Sequence, residues 1–141
     1  MIAWSAGAAI KIDAPQQAYV SGDRDELTRL AENLVENAIK YGIGTGKSPQ
    51  IDIEITHSNA DIVLSVRDNG PGIAPEHLSR LTERFYRVET PASRARGGTG
   101  LGLAIVKHIV ARHRGRLEFE SKLGSGTTFR VALPQAVEKN Q

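Results

Sequence analysis

The sequence predicts an α+β fold: a two-layer α/β sandwich whose mixed, mainly antiparallel sheet carries about three helices on one face. Three observations lead there. Ile51, Ile53 and Ile55 alternate with Asp52, Glu54 and Thr56, and Ile62, Leu64 and Val66 alternate again directly afterwards, which is the period of half-buried strands. Leu27, Leu30, Leu34 and Ala38 recur at three- and four-residue steps and make one face of a helix. Leu117 and Phe119, then Phe129, Val131 and Leu133, restore the two-residue period on either side of Gly124-Ser125-Gly126 and close the chain with a hairpin.

The elements follow in order. Ile10–Asp13 and Tyr19–Ser21 are short extended segments split by Pro15. Asp23 or Ser21 caps a helix that runs to about Tyr41 and ends at the glycines of 42–46. The strands around 51–55 and 62–66 pair antiparallel across a turn at His57–Ala60. Pro75 suits the first turn of a short helix reaching about Leu81. Residues 84–99 carry Arg84, Arg87, Arg94 and Arg96 without periodicity and read as a long mobile loop. Leu101–His113 is a mostly apolar helix with Gly115 as its C-terminal cap. Residues 10–134 thus form one domain, between an N-terminal extension at 1–9 and a flexible tail at 135–141.

Composition narrows the function. At 141 residues there is room for one core of ordinary size. Cysteine is absent, which removes disulfides, thiolate metal sites and cysteine nucleophiles. Apolar runs fall far short of the ~20 residues of a membrane span. With 18 basic and 16 acidic residues the net charge is +2, too small to indicate nucleic acid. His57, His77, His108 and His113 are scattered without metal-ligand spacing and read as surface or helix-end residues. Glycine, by contrast, is abundant at 14 residues and clustered, with Gly97, Gly98, Gly100 and Gly102 close together and Gly70 and Gly72 forming a second group. Such density marks tight turns or backbone that approaches a ligand.

Three segments carry chemistry. Asn33, Asn37 and Lys40 form a polar stripe on the first long helix. Alone, that stripe is a solvated face; its amide oxygens also suit Mg²⁺, which takes oxygen ligands. Asp68-Asn69-Gly70-Pro71-Gly72-Ile73 follows a strand, either as a plain glycine turn or as a carboxylate placed to accept a hydrogen bond from a ligand amine. Gly98-Thr99-Gly100-Leu101-Gly102-Leu103 opens the apolar helix, whose N–H groups suit phosphate. The Gly42–Ser48 segment imitates a P-loop, but it is one residue short and lies between a helix and a strand, the reverse of the required context.

Together these segments resemble the catalytic, ATP-binding domain of sensor histidine kinases, in the superfamily of gyrase, Hsp90, histidine kinases and MutL. Asn33–Tyr41 is similar to the family's asparagine box, Asp68–Ile73 to its first glycine box, Glu83–Val88 to its phenylalanine box, and Gly98–Lys107 to its second glycine box. Gly124–Phe129 is similar to its closing hairpin, and the boxes stand in family order over about 10–134. Leu81–Val88 is most similar to phosphate-regulon sensor kinases.

The resemblance implies a Bergerat-type ATP-binding fold, with ATP and Mg²⁺ as cofactors. It implies that Asn37 coordinates Mg²⁺ with support from Asn33, that Lys40 and Arg87 neutralise phosphate, and that Asn37, Lys40 and Arg87 serve catalysis. Tyr41 flanks the base or ribose, Asp68 accepts the adenine amino hydrogen, and Gly70, Gly72, Ile73 and Thr127 shape the adenine pocket. Tyr86, Arg87 and Thr99 are nucleotide-binding residues in the lid of residues 84–99, while Gly100, Leu101, Gly102 and Leu103 bring backbone N–H groups to the phosphates. The implied partners are a dimerisation segment bearing the phosphoacceptor histidine and a response regulator reached through the full-length kinase. The domain itself is expected to be monomeric and cytoplasmic, with its parent anchored in the inner membrane. No histidine here is followed by Asp or Glu, so the acceptor is expected on another segment. Asn33 stands where the superfamily's ATPases carry a glutamate base, which implies slow hydrolysis. Two other readings are an ATP-binding regulatory module of the same superfamily, and a nucleic-acid binder using Arg94, Arg96, Arg112, Arg114 and Arg116; near-neutral charge and few aromatics disfavour the latter.

Overall fold

A computed structural model describes residues 9–41, 50–83 and 102–136, with the side chain of Tyr41 outside the description. The expectations for 42–49 and 84–101, including the P-loop imitation and the arginine-bearing loop, lie outside the described residues.

Five strands, β1 (Ala9–Asp13), β2 (Gln50–Ser58), β3 (Asp61–Asp68), β4 (Arg116–Lys122) and β5 (Gly126–Pro134), form one sheet in the order β1-β2-β3-β5-β4. Among the described residues only the β1–β2 pair is parallel, so the sheet is mixed and mainly antiparallel. Among the described residues there are three α-helices: α1 (Arg24–Tyr41), α2 (Pro75–Leu78) and α3 (Gly102–Arg112). The second extended segment of the N-terminus is reduced to a single bridge between Val20 and Gln135.

The periodicities meet in one core. Leu30, Leu34, Ala38 and Ile39 from α1, with Leu103, Val106, Ile109 and Val110 from α3, pack on one face of the sheet. That face is built in rows across the strands. Ile55, Leu64, Val131 and Leu117 are register partners in one row, and Ile53, Val66, Phe129 and Phe119 in the next. The Phe119 and Phe129 rings meet edge to face at 5.8 Å, a favoured aromatic geometry. In the row after that, the side chains become polar: Ile51 pairs with Asp68, and Ser121 pairs with Thr127 on the neighbouring strands. The core therefore ends, on its helix-facing side, in three polar side chains.

Helix ends are set locally. Asp23, not Ser21, caps α1: its Oδ1 accepts the Glu26 N–H at 3.0 Å and its carbonyl accepts that of Leu27. α2 stops at Leu78 rather than at Leu81, because the chain tightens into turns closed by Arg80 N–H to His77 O and Glu83 N–H to Arg80 O, while Leu81 is buried. At the end of α3 the left-handed residue is Arg114 (φ 59°), not Gly115. Arg114 N–H bonds Ala111 O and Gly115 N–H bonds Val110 O, the two bonds of a Schellman cap. Gly115 is needed for space instead, since a Cβ there would lie 2.5 Å from Ala132 O.

His113 joins the two long helices. Its Nδ1 faces Ile109 O at 2.8 Å, and its Nε2 accepts the Asp23 N–H at 3.1 Å, so the ring is neutral with its proton on Nδ1. It is a helix-end histidine, as its position suggests, but a largely buried one that ties the C-terminus of α3 to the cap of α1. Replacing it with alanine leaves the Asp23 amide without this acceptor and opens space beside Gly22. His113→Ala is expected to lower unfolding free energy by about 1–3 kcal/mol, measured by urea titration.

Candidate functional site

The site begins with Asp68, the last residue of β3, 1% exposed. Its Oδ1 accepts the Gly70 N–H at 2.9 Å. Its Oδ2 is buried and has no hydrogen-bond partner among the described residues. An ionised carboxylate oxygen in that state is costly, since burial removes water without a replacement donor. Burial accordingly raises the Asp68 pKa from its usual 3.8 to about 6, against the opposing pull of the Gly70 and Thr127 backbone amides and the Arg67 charge.

The sign of the linked stability follows. Unfolding returns the carboxyl to its usual pKa, so between pH 3.8 and about 6 the folded chain holds more protons than the unfolded one. Stability from this group is fully present below pH 3.8 and is lost as pH rises through about 6. The whole effect is on the order of 3 kcal/mol. The protein is therefore expected to lose stability from about pH 4 to about pH 7 through this group. Asp68→Asn should flatten that part of the profile in denaturant titrations at several pH values.

The turn after Asp68 is held from both sides. Asn69 Oδ1 accepts the Gln50 N–H at 2.9 Å, and Pro71 O accepts the Gly124 N–H at 2.8 Å. Gly72 has φ 83°, and a Cβ there would run into the Lys122 carbonyl. Glycine at 72 is thus explained by its left-handed backbone and by the close approach of the β4–β5 hairpin. Gly126 (φ 115°) is tighter still: a Cβ would collide with the Asp68 carbonyl. The two glycines let the hairpin close directly over the Asp68 turn. Ile73 then enters the core, 2% exposed.

The second half of the site lies on the helices. Asn33, Asn37 and Lys40 are half-buried along one side of α1. Asn37 Nδ2 donates to Asn33 O at 2.8 Å. Only the amide nitrogen can pair with a carbonyl, so this bond fixes the amide orientation and leaves Oδ1 as the acceptor of the Asn37 side chain. The first turn of α3 abuts this pair, because a Cβ on Gly102 would lie 3.3 Å from Asn37 Nδ2 and 3.4 Å from Asn33 Oδ1. A helix N-terminus, with its unpaired N–H groups, therefore meets the asparagine stripe. Leu103 is buried in the core and anchors that turn. Among the described residues, no group of His, Asp or Glu could hold a metal by itself.

The structure thus brings together Asn33, Asn37 and Gly102 at one place, and Asp68, Gly70, Gly72, Ile73 and Thr127 at another. Tyr86, Arg87, Thr99, Gly100 and Leu101 lie outside the described residues, as does the Tyr41 side chain. Sequence reasoning missed Ser121. Its hydroxyl accepts the Ile73 N–H at 2.7 Å and contacts Gly126 O and Thr127 Oγ1. The available signal was a polar residue at an inward position of β4, in step with Leu117 and Phe119.

Residues 22–137 match the family of histidine kinase-, DNA gyrase B-, and HSP90-like ATPases. The chain belongs to that family. It is 44% identical over 129 residues to the sensor-like histidine kinase SenX3 of Mycobacterium tuberculosis H37Rv, covering 92% of this chain and 31% of that protein. It is 48% identical over 120 residues to the phosphate regulon sensor protein PhoR of Pseudomonas aeruginosa, covering 85% of this chain and 26% of PhoR. The chain therefore spans less than a third of these relatives. Among solved structures it resembles the mycobacterial sensor histidine kinase MprB, with a TM-score of 0.79 and 26% identity over 95% of this chain and 87% of the other. Full-length ShkA in complex with AMPPNP is similar, with a TM-score of 0.79 and 26% identity over 96% of this chain and 27% of ShkA. The five-strand sheet with its helices on one face is thus the fold of histidine-kinase catalytic domains. Among the described residues no helix is long and apolar enough to cross a membrane.

Proposed function

We propose that this chain is the ATP-binding catalytic part of a sensor histidine kinase, which holds Mg·ATP and donates its γ-phosphoryl group to a histidine on a separate dimerisation segment. The observation that carries the reading is the buried, unpartnered Asp68 Oδ2. An exocyclic amino group supplies the donor that this oxygen lacks, and adenine presents one where guanine presents a carbonyl oxygen.

The residues fit the remainder of the ligand. Asn37 Oδ1, with Asn33 beside it, offers oxygen donors suited to Mg²⁺, which also takes phosphate oxygens. Mg²⁺ when bound neutralises phosphate charge and orients the transferred group. Gly100, Leu101, Gly102 and Leu103 supply backbone N–H groups toward phosphate in this reading. Lys40 and Arg87 add positive charge, and Tyr41 flanks the base or ribose. The protein's task is positioning and charge neutralisation, with no covalent step on its own side chains. Asn33 has no basic carboxylate with which to activate water, which favours transfer to a histidine over hydrolysis.

The partners proposed are the phosphoacceptor segment of the same kinase and a response regulator reached through the full-length protein, and the domain is proposed to be cytoplasmic. Its placement with phosphate-regulon sensors is supported by the 48% identity to PhoR. An ATP-binding regulatory module is the alternative. Incubating the chain with γ-labelled Mg·ATP and the dimerisation segment of its parent separates the two. Acid-labile label is expected on the segment and none on the chain alone. Tight ATP binding with no label on the segment would leave the regulatory module.

The described part of the nucleic-acid reading is weakened by where its arginines sit. Arg112 pairs with Glu26 at 3.0 Å, Arg116 pairs with Asp61 at 3.2 Å, and Arg114 is the left-handed cap residue of α3.

A further inference from the structure

One hydroxyl joins three separate segments at the Asp68 end of the site. Ser121 Oγ accepts the Ile73 N–H at 2.7 Å, lies 3.0 Å from Gly126 O, and lies 2.8 Å from Thr127 Oγ1. A serine hydroxyl has one proton and two lone pairs. The Ile73 amide takes one lone pair. Gly126 O has no hydrogen to give, so it takes the Ser121 proton. What remains for Thr127 is the second lone pair, and the Thr127 hydroxyl is therefore the donor in their contact.

Thr127 is 1% exposed and spends its only side-chain proton on Ser121. Toward a ligand it has only lone pairs to offer. Its backbone amide acts on Asp68, the residue after the last β3–β5 register pair (Arg67 with Thr128), and the Asp68 Oδ2 likewise has no hydrogen when ionised. We propose that Ser121 is a positioning residue for base selection: by fixing the Thr127 hydroxyl as an acceptor beside Asp68, it makes this end of the site accept hydrogen bonds and give none. Facing the 6-position of a purine, such a surface takes the amino group of adenine and opposes the carbonyl oxygen of guanine, because the latter leaves two buried acceptors facing a third. The same hydroxyl also pins the Ile73 backbone, so the turn that carries Gly70 and Gly72 is held at a fixed distance from β4 and β5. This inference rests on the adenine-nucleotide reading.

The test compares Mg·ATP and Mg·GTP affinities for the unmutated chain, Ser121→Ala, Ser121→Thr and Ser121→Cys, with thermal unfolding measured alongside. Ser121→Ala releases the Thr127 proton to face the ligand. The ratio of ATP to GTP affinity is expected to fall by about tenfold. Ser121→Thr keeps the hydroxyl on a strand-compatible side chain and is expected to restore most of the ratio. A purely structural loss lowers both affinities together and leaves their ratio where it was. If Ser121→Ala does not fold, Ser121→Cys decides, since it keeps the volume with a much weaker donor and acceptor. An unchanged ratio in the folded Ala or Cys variant, or a Thr variant no closer to the original than Ala, overturns the proposal. Should the unmutated chain bind neither nucleotide, or both equally, the adenine reading fails; if it prefers ATP and the variants keep that preference, only the role of Ser121 fails.

Discussion

Asp68→Asn is expected to weaken Mg·ATP binding by roughly 10- to 100-fold while the domain stays folded. The carboxylate gives a charge-assisted bond to an amino group, and it already holds one buried oxygen without a donor. In the variant, the substituted side-chain amide keeps an oxygen for the Gly70 N–H and turns its NH₂ toward the place where the ligand amine would come. Two donors then face one another. The buried charge is gone as well, so nucleotide-free stability is not expected to suffer at neutral pH.

Proton linkage gives a second readout of the same contact. In the free protein the Asp68 pKa is about 6, and a bound amino group favours its ionised form. Binding ATP near that pH is thus expected to release protons, and affinity should rise as pH rises through that range. Calorimetry in two buffers of different ionisation enthalpy measures the released fraction. Asp68→Asn should abolish it.

Asn37→Ala is expected to reduce phosphoryl transfer to a supplied histidine segment by about 100-fold or more. The side chain lost is the one whose amide is oriented by the 2.8 Å bond to Asn33 O. Its partner Asn33 and the first turn of α3 remain in place, so the fold is little affected. Affinity for nucleotide without Mg²⁺ should change far less than affinity with it. If affinities with and without Mg²⁺ fall equally, Asn37 serves packing at the α1–α3 contact and not the metal.

Much of this architecture was legible in the residues themselves. Ile51, Ile53 and Ile55 and the partners at 62–66 announced a hairpin because one buried face forces alternation. The strands nonetheless run further than the apolar pattern, to Ser58 and Asp68, since backbone pairing continues past the last buried side chain. Asp68 takes the next inward position after Ile62, Leu64 and Val66, so its facing follows from the strand period, while the closing of the Gly126 hairpin over it does not. Gly115 is the expected cap because glycine usually takes the left-handed position; here Arg114 takes it, and Gly115 yields space to Ala132 O. The role of Ser121 was not legible because the amide it holds, Ile73, lies 48 residues away in the sequence. A spacing can show a polar residue in an apolar register, but only tertiary packing shows what it bonds. The meeting of Gly102 with Asn33 and Asn37 is of the same kind: two motifs, each weak alone, made significant by the contact between α1 and α3.

The central claim is that a buried acceptor at Asp68 selects an adenine nucleotide at a site completed by Mg²⁺ on Asn37. Titrating the unmutated chain with ATP and GTP, each with and without Mg²⁺, tests it most directly. The account predicts saturable ATP binding that strengthens with Mg²⁺, with GTP weaker by at least about tenfold. Equal affinity for GTP, or ATP binding indifferent to Mg²⁺, would contradict it.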